Sequence, residues 1–302
     1  MRRHPVNVDY YGRPALRLSS EHLRLDVLAE AGPRIVRLML PGDDDNLLAE
    51  TPDKTWETPF GLFEIFGGHR LWHAPEASPR TYMPDSRGVR VTPTERGAVL
   101  CGEVEPATGM QKTIEVSLHS DRPAVTLHHQ IENHGLWPVE LAPWAITQLA
   151  LGGIAVLPQR VGPVDEAGLL PNRQLVLWPY TSWRDPRLHL ADDLIVIEAT
   201  PALPPVKVGY LNTRGWLGYF RAGTFFLKRL PAPSGDPYPD FGCNAEVYCN
   251  DEFIELESLG PLTRVEPGQR VTHVETWEVY RVGEQPTPGS AREAIDRLGL
   301  GL

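Results

Sequence analysis

Apolar and polar residues alternate in short runs along most of the chain. Such runs occupy 22–30 (HLRLDVLAE), 33–40 (PRIVRLML), 88–95 (GVRVTPTE), 98–105 (AVLCGEVE), 110–119 (MQKTIEVSLH), 124–133 (AVTLHHQIEN) and 137–149 (WPVELAPWAITQL). More follow at 174–180, 194–198, 206–211, 216–220, 224–230, 244–249, 253–259 and 270–280. A period of two places successive side chains on opposite faces of a strand. Clusters of Gly, Pro, Asn and Asp, such as PGDDDN at 41–46, punctuate the runs. Many strands with turn signals and no intervening helices predict an all-β sandwich or barrel. Helical periodicity appears only near the C-terminus. There Ser290 and Glu293 form a capping-box pair, and Ala294, Ile295 and Leu298 supply an apolar stripe, predicting a short C-terminal helix. The stretch PSGDPYPD (233–240) reads as a surface loop rather than a linker, so one domain over 1–302 is expected.

Composition narrows the partners. The 302 residues are 41% hydrophobic and 23% charged, as in ordinary globular proteins. A formal net charge of −10 disfavours nucleic-acid phosphates and anionic membrane surfaces. No apolar run approaches the length of a transmembrane helix. The opening MRRHPVNVDYYGRP lacks the apolar region of a signal peptide. Cys101, Cys243 and Cys249 are too few and too scattered for a disulfide framework, so reduced cysteines and a cytoplasmic location are expected. No P-loop, G-x-S-x-G elbow, Rossmann glycine pattern or C-x-x-C occurs, and no cofactor is expected.

Three stretches carry candidate chemistry. In CNAEVYCNDEFIELESLGPL (243–262), Glu255 and Glu257 share one strand face, about 7 Å apart. They are either a solvated face or a pair lining a concave one, where burial or like charge raises one pKa and makes a general base. In QRVTHVETWEVY (269–280), His273, Glu275 and Trp277 alternate along a strand, with Trp277 read as core. GGHRLWHAPE (67–76) admits three readings: a metal site, a polar turn or a sugar-type pocket. His69, His73 and Glu76 have the spacing of a helical ligand face, but Gly67–Gly68 and Pro75 oppose a helix there and Arg70 opposes a cation. The donors His69, Arg70, Trp72 and His73 suit a pocket, and no metal is assigned. On 124–133, His129 falls on the apolar face and His128 on the polar one. Trp178, Tyr180, Trp183 and Arg184 belong to a long loop that would wall a cleft.

The blocks GPRIVRLML, GGHRLWHAPE, IENHG-WPVELAPWAITQL and NAEVY-NDEFIELESLGPLTRVEPGQRVTHVETWEVY resemble the galactose mutarotase-like superfamily, and more narrowly a branch of it catalogued as a domain of unknown function, over roughly residues 15 to 280. The resemblance implies a β-supersandwich of large antiparallel sheets with a sugar-sized cleft on the concave one. In aldose epimerases of this superfamily a late glutamate takes the anomeric hydroxyl proton and a central-strand histidine protonates the ring oxygen. The Leu256-Glu257-Ser258 block ahead of Pro267-Gly268 makes Glu257 the implied base. Gly67, Gly68 and Pro75 resemble the Gly-Gly…Pro block of sugar-phosphate epimerases, which would bring His69, Arg70 and Trp72 to the cleft. The chain departs from the pattern at LAPWAITQL, where Trp144 stands and no histidine is near. His69 or His73 is the substitute acid considered. Arg70, Trp72, Glu76, Trp144, Gln148, Glu246 and Glu255 complete the expected substrate contacts. The favoured reading is an aldose-epimerase-like protein acting on a small carbohydrate. The alternatives are a non-catalytic sugar binder, or a lyase or hydrolase on an acidic or keto sugar.

Overall fold

The computed structural model describes residues 5–233 and 235–302. The first four residues of the opening segment and Ser234 in the 233–240 loop therefore lie outside the described residues. Two large antiparallel sheets, of eleven and ten strands, pack face to face. Their shared core draws Leu25, Val27, Ile35, Leu71 and Leu256 from one sheet and Leu100, Ile114, Val125, Leu127 and Trp277 from the other. Trp277 is wholly buried there, as its place on the strand implied.

Most alternating runs are strands with nearly the expected bounds, among them Ala124–Asn133, Val139–Ala150, Phe253–Leu259 and Arg270–Arg281. His129 is buried and His128 exposed, as the alternation required. Several strands were not legible. Glu50–Thr58 and Gly61–Gly67 form a separate two-stranded hairpin, and His69–Ala74 sits in the middle of the eleven-stranded sheet. That last strand is buried at all its positions, so it lacks the polar face that makes a strand visible in sequence. Gly67 and Gly68, at φ 86° and 69°, precede it. A Cβ on either would run into the carbonyl oxygens of Ala49 and Ile35. These glycines serve close backbone packing.

The C-terminal helix spans Ala291–Arg297, and Ala294 and Ile295 are buried beneath it as expected. The cap differs: Ser290 makes no side-chain cap bond to this helix, and the capping box joins Thr287 and Ser290 at the preceding 3₁₀ turn. Pro288 starts that turn and draws the cap upstream. All three cysteines are free. Among the described residues, no helix is long and apolar enough to cross a membrane.

Candidate functional site

Five adjacent strands of the larger sheet make a platform: His69–Ala74, Val139–Ala150, Phe253–Leu259, Ala245–Cys249 and Val206–Tyr210. Their register sets three rows of side chains on the outer face. Trp72 lies beside Trp144, which lies beside Leu259. Arg70, Ile146, Glu257, Glu246 and Gly209 form the next row. Gln148, Glu255, Tyr248 and Lys207 form the third. A cavity of about 360 Å³ opens over these rows. Trp56 and Lys54 reach it from the hairpin, and Trp178 and Tyr180 from the long loop. Tyr82, Glu76, Asn250 and Phe253 complete the wall. Gly209 carries no side chain because one would strike the Cys243 sulfur and crowd Glu246 and the Trp178 ring.

The charged groups on this face are paired with one another. Arg70 donates to Glu255 at 2.9 Å, and Gln148 Nε2 donates to the same oxygen at 2.9 Å. Trp144 Nε1 donates to Glu257 Oε2 at 2.6 Å. Lys207 Nζ lies 3.0 Å from that oxygen and 2.8 Å from Glu246 Oε2. The same ammonium sits 4.8 Å from the Trp144 ring centre and 4.5 Å from that of Trp178, and the Arg70 guanidinium stacks at 4.3 Å on Trp72. Even so, buried polar atoms of this platform lack protein partners: Arg70 Nε and Nη1, Gln148 Oε1, Glu246 Oε1 and Glu257 Oε1. Such groups carry a desolvation cost that a polar ligand would relieve.

Burial pushes the Glu246 carboxyl well above the usual carboxylate range, against the pull of Lys207. Burial also raises Glu255, with Arg70 and Lys207 opposing. For Lys207 burial acts downward, but Glu257 and Glu246 outweigh it and hold the ammonium well above its ordinary value. Asp240, in a short turn with Phe241 where both adopt φ of 50° to 60°, also has its pKa raised by partial burial. Two successive left-handed residues other than glycine mark local backbone strain beside this cluster.

The sequence-derived candidates divide along the pleat. Arg70, Trp72, Glu76, Trp144 and Glu255 line the cavity. Gln148, Glu246 and Glu257 share that sheet face but do not line the cavity, and Glu257 is 0% exposed against 7% for Glu255. His69 and His73 do not join them. GGHRLWHAPE enters a strand, and alternation turns both histidines to the opposite face, between the sheets. The expectation that either supplies a proton in the cleft is therefore corrected. His73 is buried with no protein partner at either ring nitrogen, and burial first, then Lys112 and Arg80, drives its pKa well down. In the long loop, Trp178 and Tyr180 line the cavity, whereas Trp183 and Arg184 are exposed. Lys207, on the floor, was not foreseen. Its run at 206–211 predicts only a strand, and a lone lysine in an apolar run is the one signal the sequence offers.

Behind the platform a second polar cluster fills the interior. His129 Nδ1 faces the His273 carbonyl at 3.1 Å, which only accepts, so that nitrogen carries hydrogen. His129 Nε2 then accepts from His69 Nε2 at 2.8 Å, and His69 Nδ1 accepts from the Thr147 hydroxyl at 2.9 Å. Thr147 accepts from Lys228 at 3.1 Å. Lys228 also reaches the carbonyls of Ala145 and Leu256 and pairs with Glu275 at 2.8 Å. Ser258 donates to Glu275 and accepts from His273 Nε2 at 2.6 Å, and the Trp277 indole donates to Glu275 at 3.1 Å. His69, His129 and Glu275 bring ligand-type atoms within 4.8 Å of one another. The residues do not fit a metal: Lys228 already supplies the cation beside Glu275, and the two imidazole nitrogens are bonded to each other. Nor do Ser258, His273 and Glu275 make a nucleophile, since the hydroxyl gives its proton to the carboxylate and the serine is fully buried.

No family model matches the chain, and no curated protein matches it. Solved structures do. The Slr1438 protein from Synechocystis sp. PCC 6803 is 11% identical with a TM-score of 0.56, covering 93% of this chain and 97% of that one. A galactose mutarotase-like protein from Lactobacillus casei is 9% identical with a TM-score of 0.52, covering 88% and 100%. A galactose mutarotase related enzyme from Lactobacillus acidophilus is 7% identical with a TM-score of 0.55, covering 90% and 99%.

Proposed function

The chain has a galactose mutarotase-like fold, and from that premise we propose that its cleft binds a small carbohydrate and supports aldose-epimerase-like proton exchange. One observation carries the reading: Arg70, with Nε and Nη1 unpartnered, lines a cavity walled by Trp56, Trp72, Trp144, Trp178, Tyr180 and Tyr248. Sugars present C–H faces that stack on aromatic rings and hydroxyls that both donate and accept. A neutral sugar suits the site better than an acidic one. Arg70 is charge-paired with Glu255 and Lys207 with Glu246 and Glu257, so both cations of the platform are already matched by carboxylates.

Glu255 is the platform carboxylate that lines the cavity, and burial raises its pKa, the direction that favours a general base. Glu257, the base implied by the resemblance, lies behind Trp144 and Lys207 and acts in this reading as the counter-charge of Lys207. The test is saturation-transfer NMR of anomer exchange with D-glucose and D-galactose. Glu255→Gln is expected to slow exchange by ~10²-fold or more. An unchanged rate in Glu255→Gln with a lost rate in Glu257→Gln would return the base role to Glu257.

A second reading, a sugar binder without turnover, is favoured by the two donors clamped on Glu255 and by the complete burial of Glu257. Binding of either sugar with no acceleration of exchange would select it.

A further inference from the structure

We propose that Lys207 is the proton donor of this cleft, taking the part left open by the absence of a central-strand histidine; the inference rests on the carbohydrate reading above. Among the described residues, no histidine lines the cavity, and the imidazoles closest in sequence to the platform face the interior. Lys207 does line it while only 4% exposed. It sits at the end of the row that begins with Gln148 and Glu255, so acceptor and donor occupy one line across the floor.

Its surroundings suit the role. Glu246 and Glu257 keep the amine charged, which is the form that can donate. The indole faces of Trp144 and Trp178 hold the ammonium in place and keep water from it, which strengthens its action on charge developing at a nearby oxygen. An alkoxide released by ring opening is a stronger base than a lysine amine, so transfer runs downhill as the bond breaks.

The step balances. The anomeric O–H proton passes to the Glu255 carboxylate, and the C1–ring-oxygen bond breaks with its electron pair moving to the ring oxygen. That oxygen takes a proton from Lys207, leaving an open-chain aldehyde and a neutral amine. After rotation about C1–C2 the ring oxygen attacks the other carbonyl face. Its proton returns to Lys207, and the Glu255 proton returns to the new anomeric oxygen. No oxidant or co-reactant is required.

The full-length chain is tested with D-glucose and D-galactose, measuring exchange by saturation-transfer NMR and binding by calorimetry in parallel. Lys207→Arg keeps a charge but does not release a proton. It is expected to bind sugar within a few-fold of the parent while kcat for exchange falls ~10²-fold or more, with KM little changed. Lys207→Ala supplemented with propylamine, which replaces the missing atoms, is expected to recover exchange in proportion to the amine. Exchange in Lys207→Arg within about threefold of the parent would overturn the assignment while leaving the sugar reading intact. A parent protein that binds but does not accelerate exchange would also overturn it, and one that neither binds nor exchanges removes the sugar reading as well. A Lys207→Ala protein that folds, binds and ignores propylamine counts against Lys207 in the same way.

Discussion

The outer face of the platform and the cluster packed against its inner face put similar residue types to opposite ends. Outward, Glu255, Glu257, Glu246, Arg70 and Lys207 are paired, yet Arg70, Gln148, Glu246 and Glu257 retain buried atoms without protein partners on the face where the cavity opens. Inward, His69, His129, Thr147, Lys228, Glu275 and Ser258 hand hydrogens from one to the next, and none of them has a buried side-chain atom without a partner. A polar cluster whose bonds close on itself holds two sheets in register, whereas one left open beside a cavity has capacity for a ligand. The inner cluster ties both sheets together, since Lys228 and Glu275 belong to one and Thr147, Ser258 and the Leu256 carbonyl to the other.

Substitutions can test that contrast. The largest effect is expected from Lys228→Met, which leaves Glu275 charged and unpaired in the core. It should destabilise the fold by about 3–5 kcal/mol in chemical denaturation. Glu255→Gln, on the outer face, should cost far less stability while slowing exchange ~10²-fold or more. Equal losses of stability from the two would erase the distinction between the faces.

Acid provides the next test. Burial drives the pKa of His129 down to about 4 and that of His273 to about 3, and that of His69 well below its ordinary value. An unfolded chain takes up protons at these residues below about pH 6.5, and the folded chain does not. Their contribution is therefore present above pH 6.5 and is lost as pH falls towards 4, at about 1.4 kcal/mol per pH unit for each histidine. On the cleft face the sign reverses: Glu246 and Glu255 titrate above their unfolded values, so their share favours the folded state at low pH and fades as pH rises through the folded values. Denaturation midpoints measured between pH 4 and 7 should fall on acidification for the parent. The fall should be shallower for His129→Gln if that variant folds, and a parallel curve would show that His129 does not contribute.

Trp72→Ala removes a ring stacked on Arg70 and set edge-on to Trp144 at 5.5 Å. Sugar affinity is expected to weaken by about 1 kcal/mol or more, read by calorimetry. The smallest effect is expected from His128→Ala, exposed on the strand where its neighbour His129 is buried; stability should change by less than about 0.5 kcal/mol.

How much of this was legible depended on what each strand faces. The run 124–133 has an apolar side and a wet side, and its alternation gave both the strand and the burial of His129 against His128. Glu255 and Glu257 were visible as a same-face pair for the same reason. His69–Ala74 is covered on both faces, so its period was hidden and its histidines were assigned with Arg70 and Trp72 instead of opposite them. Lys207 was missed because a single lysine in a strand gives no hint of two glutamates and two tryptophans gathered from distant positions.

The sequence by itself determined an all-β chain of short antiparallel strands, a short terminal helix and the pairing of two carboxylates on one strand face. These are local consequences of a two-residue period, turn residues and covalent geometry. Only the tertiary structure decided which face of each strand meets the cavity and which glutamate fronts it. It also decided that a lysine, and not a histidine, stands beside them, because register across five strands is set by long-range packing that no local pattern encodes.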